Sequence, residues 1–124
     1  MNTQVTPEVE VSAPVLREAV EVNDKLILFV HNLLDPAHCE IPHFSDAAAG
    51  DKIALKVLTS TGNEKDYVHV LTASDLGRPL ILTIKKAVFE KNLSQGATAF
   101  LYYIVTTVSG KTLTSPVLLV HLEA

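Results

Sequence analysis

The chain has one cysteine, one methionine and no tryptophan, and its aromatic residues are limited to four phenylalanines and three tyrosines. A single thiol excludes an internal disulfide, so the fold does not depend on an oxidising compartment. With few aromatics, aliphatic and β-branched side chains must fill the core of a chain that is 48% hydrophobic, with a mean hydropathy of +0.27. A surplus of one charge is also lacking. Ten basic against fourteen acidic residues give a net charge of -4, and like charges never run beyond two. Such a pattern offers no electrostatic footprint for nucleic acid or an anionic membrane surface. No apolar run approaches the roughly 20 residues of a membrane-spanning helix, so no membrane insertion is expected. The start, "MNTQVTPEVEVSAP", has no basic stretch followed by an apolar one. The expectation is therefore a protein that is cytoplasmic or exported without an N-terminal leader. Phosphate loops, dinucleotide fingerprints, G-x-S-x-G and H-E-x-x-H are missing too, so no enzyme motif and no cofactor is expected.

What is present is a succession of short apolar runs: "KLILFV" (25–30), "HCEIP" (38–42), "KIALKVL" (52–58), "DYVHVLT" (66–72), "PLILTI" (79–84), "TAFLYYIVTTV" (98–108) and "PVLLVHL" (116–122). Between them stand "AAAGD", "STGNE", "SDLGRP", "SQG" and "VSGKT", rich in the residues that turns require. In 124 residues this spacing predicts one all-β domain, an antiparallel sandwich of about seven strands over 13–124, preceded by a tail over 1–12 that leads to a first strand near Val15. Only "KKAVFEKNL" (85–93) has helical spacing, and it reads as a short helix crossing between sheets, stopped by Asn92 and Gly96. In 52–57, Ile53, Leu55 and Val57 alternate with Lys52, Ala54 and Lys56, as a strand with one wet face does. In 67–72, 80–84, 100–105 and 117–122 both parities are largely apolar. Either loops cover the second face of these strands or it is an interaction surface.

The order of these elements resembles the bacterial immunoglobulin-like repeats of large proteobacterial surface and adhesin-like proteins. Gly50 and Asp51 match a "GD" turn before a strand. Asn92 and Leu93 match the end of a short helix, and Gly110 and Ser115 match a glycine turn followed by an S-x-x-L strand. "APVLREA" (13–19) and "LDPAHCEIP" (34–42) are similar to the first strand of such a repeat and to its strand ending in Ile-Pro, whereas 20–32 is longer and more apolar than such a repeat has. The resemblance covers most of 13–122. It implies an immunoglobulin-like sandwich serving as a stalk, spacer or binding module, with no catalytic set and a surface or extracellular setting.

One stretch concentrates reactive groups. "DPAHCEIPHFSD" (35–46) holds His38, Cys39 and His43. Three donors reach the number a catalytic zinc site needs, but strand alternation sends His38 and Glu40 to one face and Cys39 and Ile41 to the other, and Pro42 redirects the chain before His43. The expectation is a Cys39 buried as a small hydrophobe, with neither metal nor nucleophilic chemistry. His31, His69 and His121 are scattered, and only a cross-strand encounter would make them a pH-sensitive or metal-binding cluster. Asn63, Glu64 and Asp66 form a partial calcium shell that Asp46 and Asp51 would complete only if their loops met; otherwise they are an ordinary polar turn.

In the long run 98–108 one of Tyr102 and Tyr103 packs inward, and in immunoglobulin-like sandwiches such a tyrosine bonds back to the backbone. With Tyr102 outward, Phe100 and Ile104 flank it in a small aromatic patch. Tyr67 and His69 complete the candidate interface. The leading expectation is a non-catalytic protein-interaction or adhesion-type module that associates with itself or a protein partner. The alternative is a small carbohydrate-binding protein using "STGNE", "SDLGRP" and "VSGKT" at one end of the sandwich.

Overall fold

The computed structural model describes residues 11–124. Among these are ten strands: β1 (Val15–Leu16), β2 (Val20–Val22), β3 (Lys25–Phe29), β4 (Ala37–Ile41), β5 (Lys52–Thr59), β6 (Glu64–Val70), β7 (Leu80–Ile84), β8 (Thr98–Thr106), β9 (Thr112–Thr114) and β10 (Leu118–Glu123). One helix, α1 (Lys86–Glu90), crosses from β7 to β8, and 3₁₀ turns occupy Val30–Asn32 and Ala73–Asp75. A small sheet runs β1-β4-β7, and a larger one runs β2-β3-β10-β8-β5-β6, with β9 also against β8. Every pairing is antiparallel except β3 with β10. The molecule is an all-β sandwich. β4 and β7 take the B and E places of an immunoglobulin-like sandwich, while β5, β8 and the β9/β10 pair take C, F and G.

Alternation builds the core. Ile53, Leu55 and Val57 of β5, Leu101, Tyr103 and Val105 of β8, and Ala37, Cys39 and Ile41 of β4 are each at most 1% exposed. Between the layers they lose nearly all contact with water, the main favourable term in folding. The helix expected over 85–93 is present as a single short turn. Phe89 is its fully buried residue, while Val88 and Leu93 pack partly against the core. Asn92, at φ 58, ends it in the left-handed conformation that asparagine tolerates.

Three features differ from the sequence reading. The expected strand over 25–30 is half of a hairpin: β2 pairs with β3 in the register Val22↔Lys25, leaving Asn23 and Asp24 as a two-residue turn at φ 51 and φ 65. Both central residues of such a turn need positive φ, and Asn and Asp accept it. The G strand is broken into β9 and β10 around Ser115, whose Oγ accepts the Tyr103 N–H at 2.9 Å and donates to the Pro116 carbonyl at 2.9 Å. Lastly, the tail expected over 1–12 is anchored at its end: Val11 is buried and the Ser12 carbonyl accepts the Tyr103 hydroxyl. The rest of that tail, 1–10, lies outside the described residues.

Asp51 is 1% exposed and acts as a clasp. Its Oδ2 accepts the Ala48 N–H at 2.9 Å and its Oδ1 the Val108 N–H at 3.0 Å, which joins the loop before β5 to the loop after β8. Gly50 sits at φ +97 with Cγ1 of Val108 2.8 Å from where a Cβ would stand, so glycine is required there both for conformation and for space.

Candidate functional site

The larger sheet has an outer face opposite to the core, and the register identifies what occupies it. Val68, Ala54 and Ile104 lie across from one another, as do Asp66, Lys56 and Tyr102, and then Leu58, Phe100 and Leu119. On this face Val68 is 60% exposed, Val70 52%, Leu119 44% and Phe100 40%. Tyr102 and Ile104 are half-buried between them. Four charged side chains share this face: Lys56 Nζ pairs with Asp66 Oδ2 at 2.8 Å, while Lys52 stands beside Val70 and Glu64 beside Leu58. Several large apolar residues contiguous on one face of a small domain mark an interaction surface more often than chance exposure does.

The five residues expected at an interface therefore divide. Phe100, Tyr102 and Ile104 are together on the outer face. Tyr67 and His69 are on the opposite side of β6, because Tyr67 pairs with Leu55 and His69 with Ile53, both core residues, and a period of two admits no mixture. Val68 and Val70 replace them on the outer face. Tyr67 points toward the inside edge of the sandwich, and His69 Nε2 lies 3.0 Å from Asp75 Oδ2. The Thr72 backbone N–H, the His69 ring and the Thr72 hydroxyl hold the Asp75 carboxyl down at about 2. Tyr103 is the inward tyrosine, and burial pushes its phenol up to about 12.

The reactive stretch is distributed as alternation requires. Cys39 is fully buried, and burial, aided by the nearby Glu40 charge, pushes its thiol up to about 12. His43 is exposed beyond the end of β4. His38 faces outward, where Glu18 grips it twice: the carboxylate accepts the His38 backbone N–H and meets Nδ1, each at 2.7 Å. Partial burial raises Glu18, but the His38 backbone N–H and ring outweigh it and leave the carboxyl below its ordinary value. This pair borders an open hollow of about 480 Å³ floored by Leu28, Phe29 and Leu33. A carboxylate bound to Nδ1 orients an imidazole, as in catalytic and metal-binding pairs. Here, among the described residues, no hydroxyl or thiol hydrogen-bonds to that ring, and no three His, Cys, Asp or Glu side chains gather as metal ligands. His38, Cys39 and His43 do not converge.

The oxygen donors of the 61–66 turn and the loop cluster are likewise distributed. Asp51 is occupied as a clasp, Asp66 pairs with Lys56, and the Asn63 amide donates to the Val88 and Lys91 carbonyls, 2.8 Å each, pinning the end of α1. The register places Leu58 beside Glu64 at one end of the sandwich, and Lys52 beside both Val70 and Thr106 at the other. "STGNE" is thus at the opposite end from "SDLGRP" and "VSGKT", because successive hairpin turns alternate ends. No single mouth unites the three loops. Among the described residues no helix is long and apolar enough to cross a membrane. Comparison with protein-family models, with curated proteins and with solved structures finds no match for this chain.

Proposed function

We propose that this chain is a non-catalytic, adhesion-type protein-interaction module that associates with a second copy of itself through the outer face of the larger sheet. The observation that carries the reading is the row of exposed Val68, Val70, Phe100 and Leu119 around the half-buried Tyr102 and Ile104. An apolar face with aromatic residues near its centre has the composition of an interface core. The Lys56 and Asp66 pair favours a second copy as occupant. A two-fold axis lying across the line that joins the pair sets each Lys56 against the other copy's Asp66, so the pair can exchange partners without stranding a charge. The similarity in motif order to immunoglobulin-like repeats of bacterial surface proteins supports the same assignment, since such modules act by contact and not by chemistry.

Sedimentation equilibrium over a range of concentrations tests this. The wild-type chain is expected to associate, and Phe100→Glu with Leu119→Glu is expected to weaken association by about 3 kcal/mol or more, as truncation of central interface anchors does. Both side chains already touch water, so the monomer should stay folded, its melting temperature lowered only by the repulsion between the two facing carboxylates. A wild-type chain that stays monomeric into the millimolar range, at about 4 kcal/mol of affinity or less, would refute the reading.

A further inference from the structure

We propose that the free edge of β7 is a strand-addition site for an extended segment of another polypeptide, one in which alternate apolar residues are bracketed by acidic side chains. The site lies on the opposite sheet from the self-association face and is independent of it.

The small sheet ends at β7. An immunoglobulin-like sandwich commonly continues from E to a D strand, but here 71–79 carries the chain directly from β6 to β7, and no described strand lies on the far side of β7. The consequence shows in the side chains. Cys39 and Ile41 are 0% and 1% exposed, whereas their cross-strand partners Leu82 and Leu80, which face the same core, remain only half-buried. The sandwich is open along this seam.

An open edge is a template for pairing, and proteins blunt such edges with charges, prolines or bulges. The edge strand β6 carries Glu64, Lys65 and Asp66, and the edge strand β2 carries Glu21. β7, "LILTI", carries no charge over its whole length.

Charge selects the occupant. Arg78 and Lys85 bracket β7, and neither forms an ion pair with a described residue. A second copy pairing β7 with β7 about a two-fold axis would place Arg78 of one against Lys85 of the other, like charge on like. An apolar segment with acidic ends meets both cations and extends the sheet by main-chain hydrogen bonds, with alternate side chains closing over Leu80 and Leu82.

The test titrates the full chain with the synthetic peptide EEVTVTVEE and follows amide hydrogen exchange. Saturable binding is expected, with slowed exchange confined to residues 80–84 and their β4 partners. Arg78→Glu with Lys85→Glu should weaken binding about tenfold or more, and the peptide KKVTVTVKK should bind the wild-type chain about tenfold or more weakly than the acidic one. Phe100→Glu with Leu119→Glu should leave peptide binding unchanged, which separates this site from the self-association face. No saturation at about 1 mM peptide, protection at β6 or β2 in place of β7, or indifference to the charge reversals would overturn the proposal. So would protection of 80–84 on concentrating the chain alone, which would give the edge to a second copy.

Discussion

Asp51 is the carboxylate on which the fold rests most heavily, and its replacement should separate the clasp from simple side-chain packing. Each oxygen accepts one backbone N–H, Ala48 to Oδ2 and Val108 to Oδ1, in a residue 1% exposed. In Asp51→Ala both N–H groups lose a charged acceptor. Bonds of that kind contribute about 1.5–3 kcal/mol each, and some return of water to the loops reduces the sum to about 3 kcal/mol. Against a total stability of about 5–15 kcal/mol, that is a large fraction. It corresponds to a fall of roughly 12 °C in melting temperature for a domain of this size. Asp51→Asn is the sharper variant. Since the two N–H groups use different oxygens, an amide satisfies one and turns its own NH₂ toward the other, so the isosteric change should still cost about 2 kcal/mol. Urea denaturation followed by circular dichroism measures both, and the slope with denaturant should stay constant. An Asn variant within about 0.5 kcal/mol of wild type would refute the clasp, because that is the range of changes touching no such feature.

Two further outcomes follow from burial and charge. Cys39, with its thiol pushed up to about 12 inside the sandwich, should resist a thiol reagent in the native state and react at the free-thiol rate only in denaturant; equal rates in both would contradict its burial. Asp75 is held at about 2 against an ordinary 3.8, so its contribution to stability is complete above about pH 4 and is lost as the pH falls toward about 2. Asp75→Asn should flatten that limb of stability measured between pH 2 and 5, and an unaltered limb would show that the Thr72 and His69 contacts do not hold the carboxylate.

The sequence made the apolar runs and the residues at their ends legible, because both are local. Four of those that carried the family resemblance have structural roles. Gly50 allows a close approach to Val108, Asp51 clasps two loops, Asn92 ends the helix, and Ser115 bridges the break in the G strand. That explains why a resemblance built on them speaks to architecture more than to activity. The inward tyrosine was foreseeable from alternation, since Leu101 and Val105 share its parity. Tyr67 and His69 were harder to place: Val68 and Val70 are as apolar as a core face would be, so the sequence of β6 has no polar parity to mark the outside. The hairpin at Asn23 and Asp24 did leave a signal, two adjacent residues that tolerate positive φ, set between apolar alternations. The pairing of Glu18 with His38 left none, because it depends on β1 lying beside β4, a neighbourhood that only the sheet creates.

The most direct test of the self-association face is the accessibility of its methyl groups to a soluble paramagnetic probe, measured at low and high protein concentration. The account predicts that Val68, Val70 and Leu119 become shielded as the concentration rises, while Val15 and Leu34, exposed elsewhere on the molecule, do not. Unchanged accessibility of the outer-face methyls at every concentration, or shielding of Leu34 in their place, would contradict it.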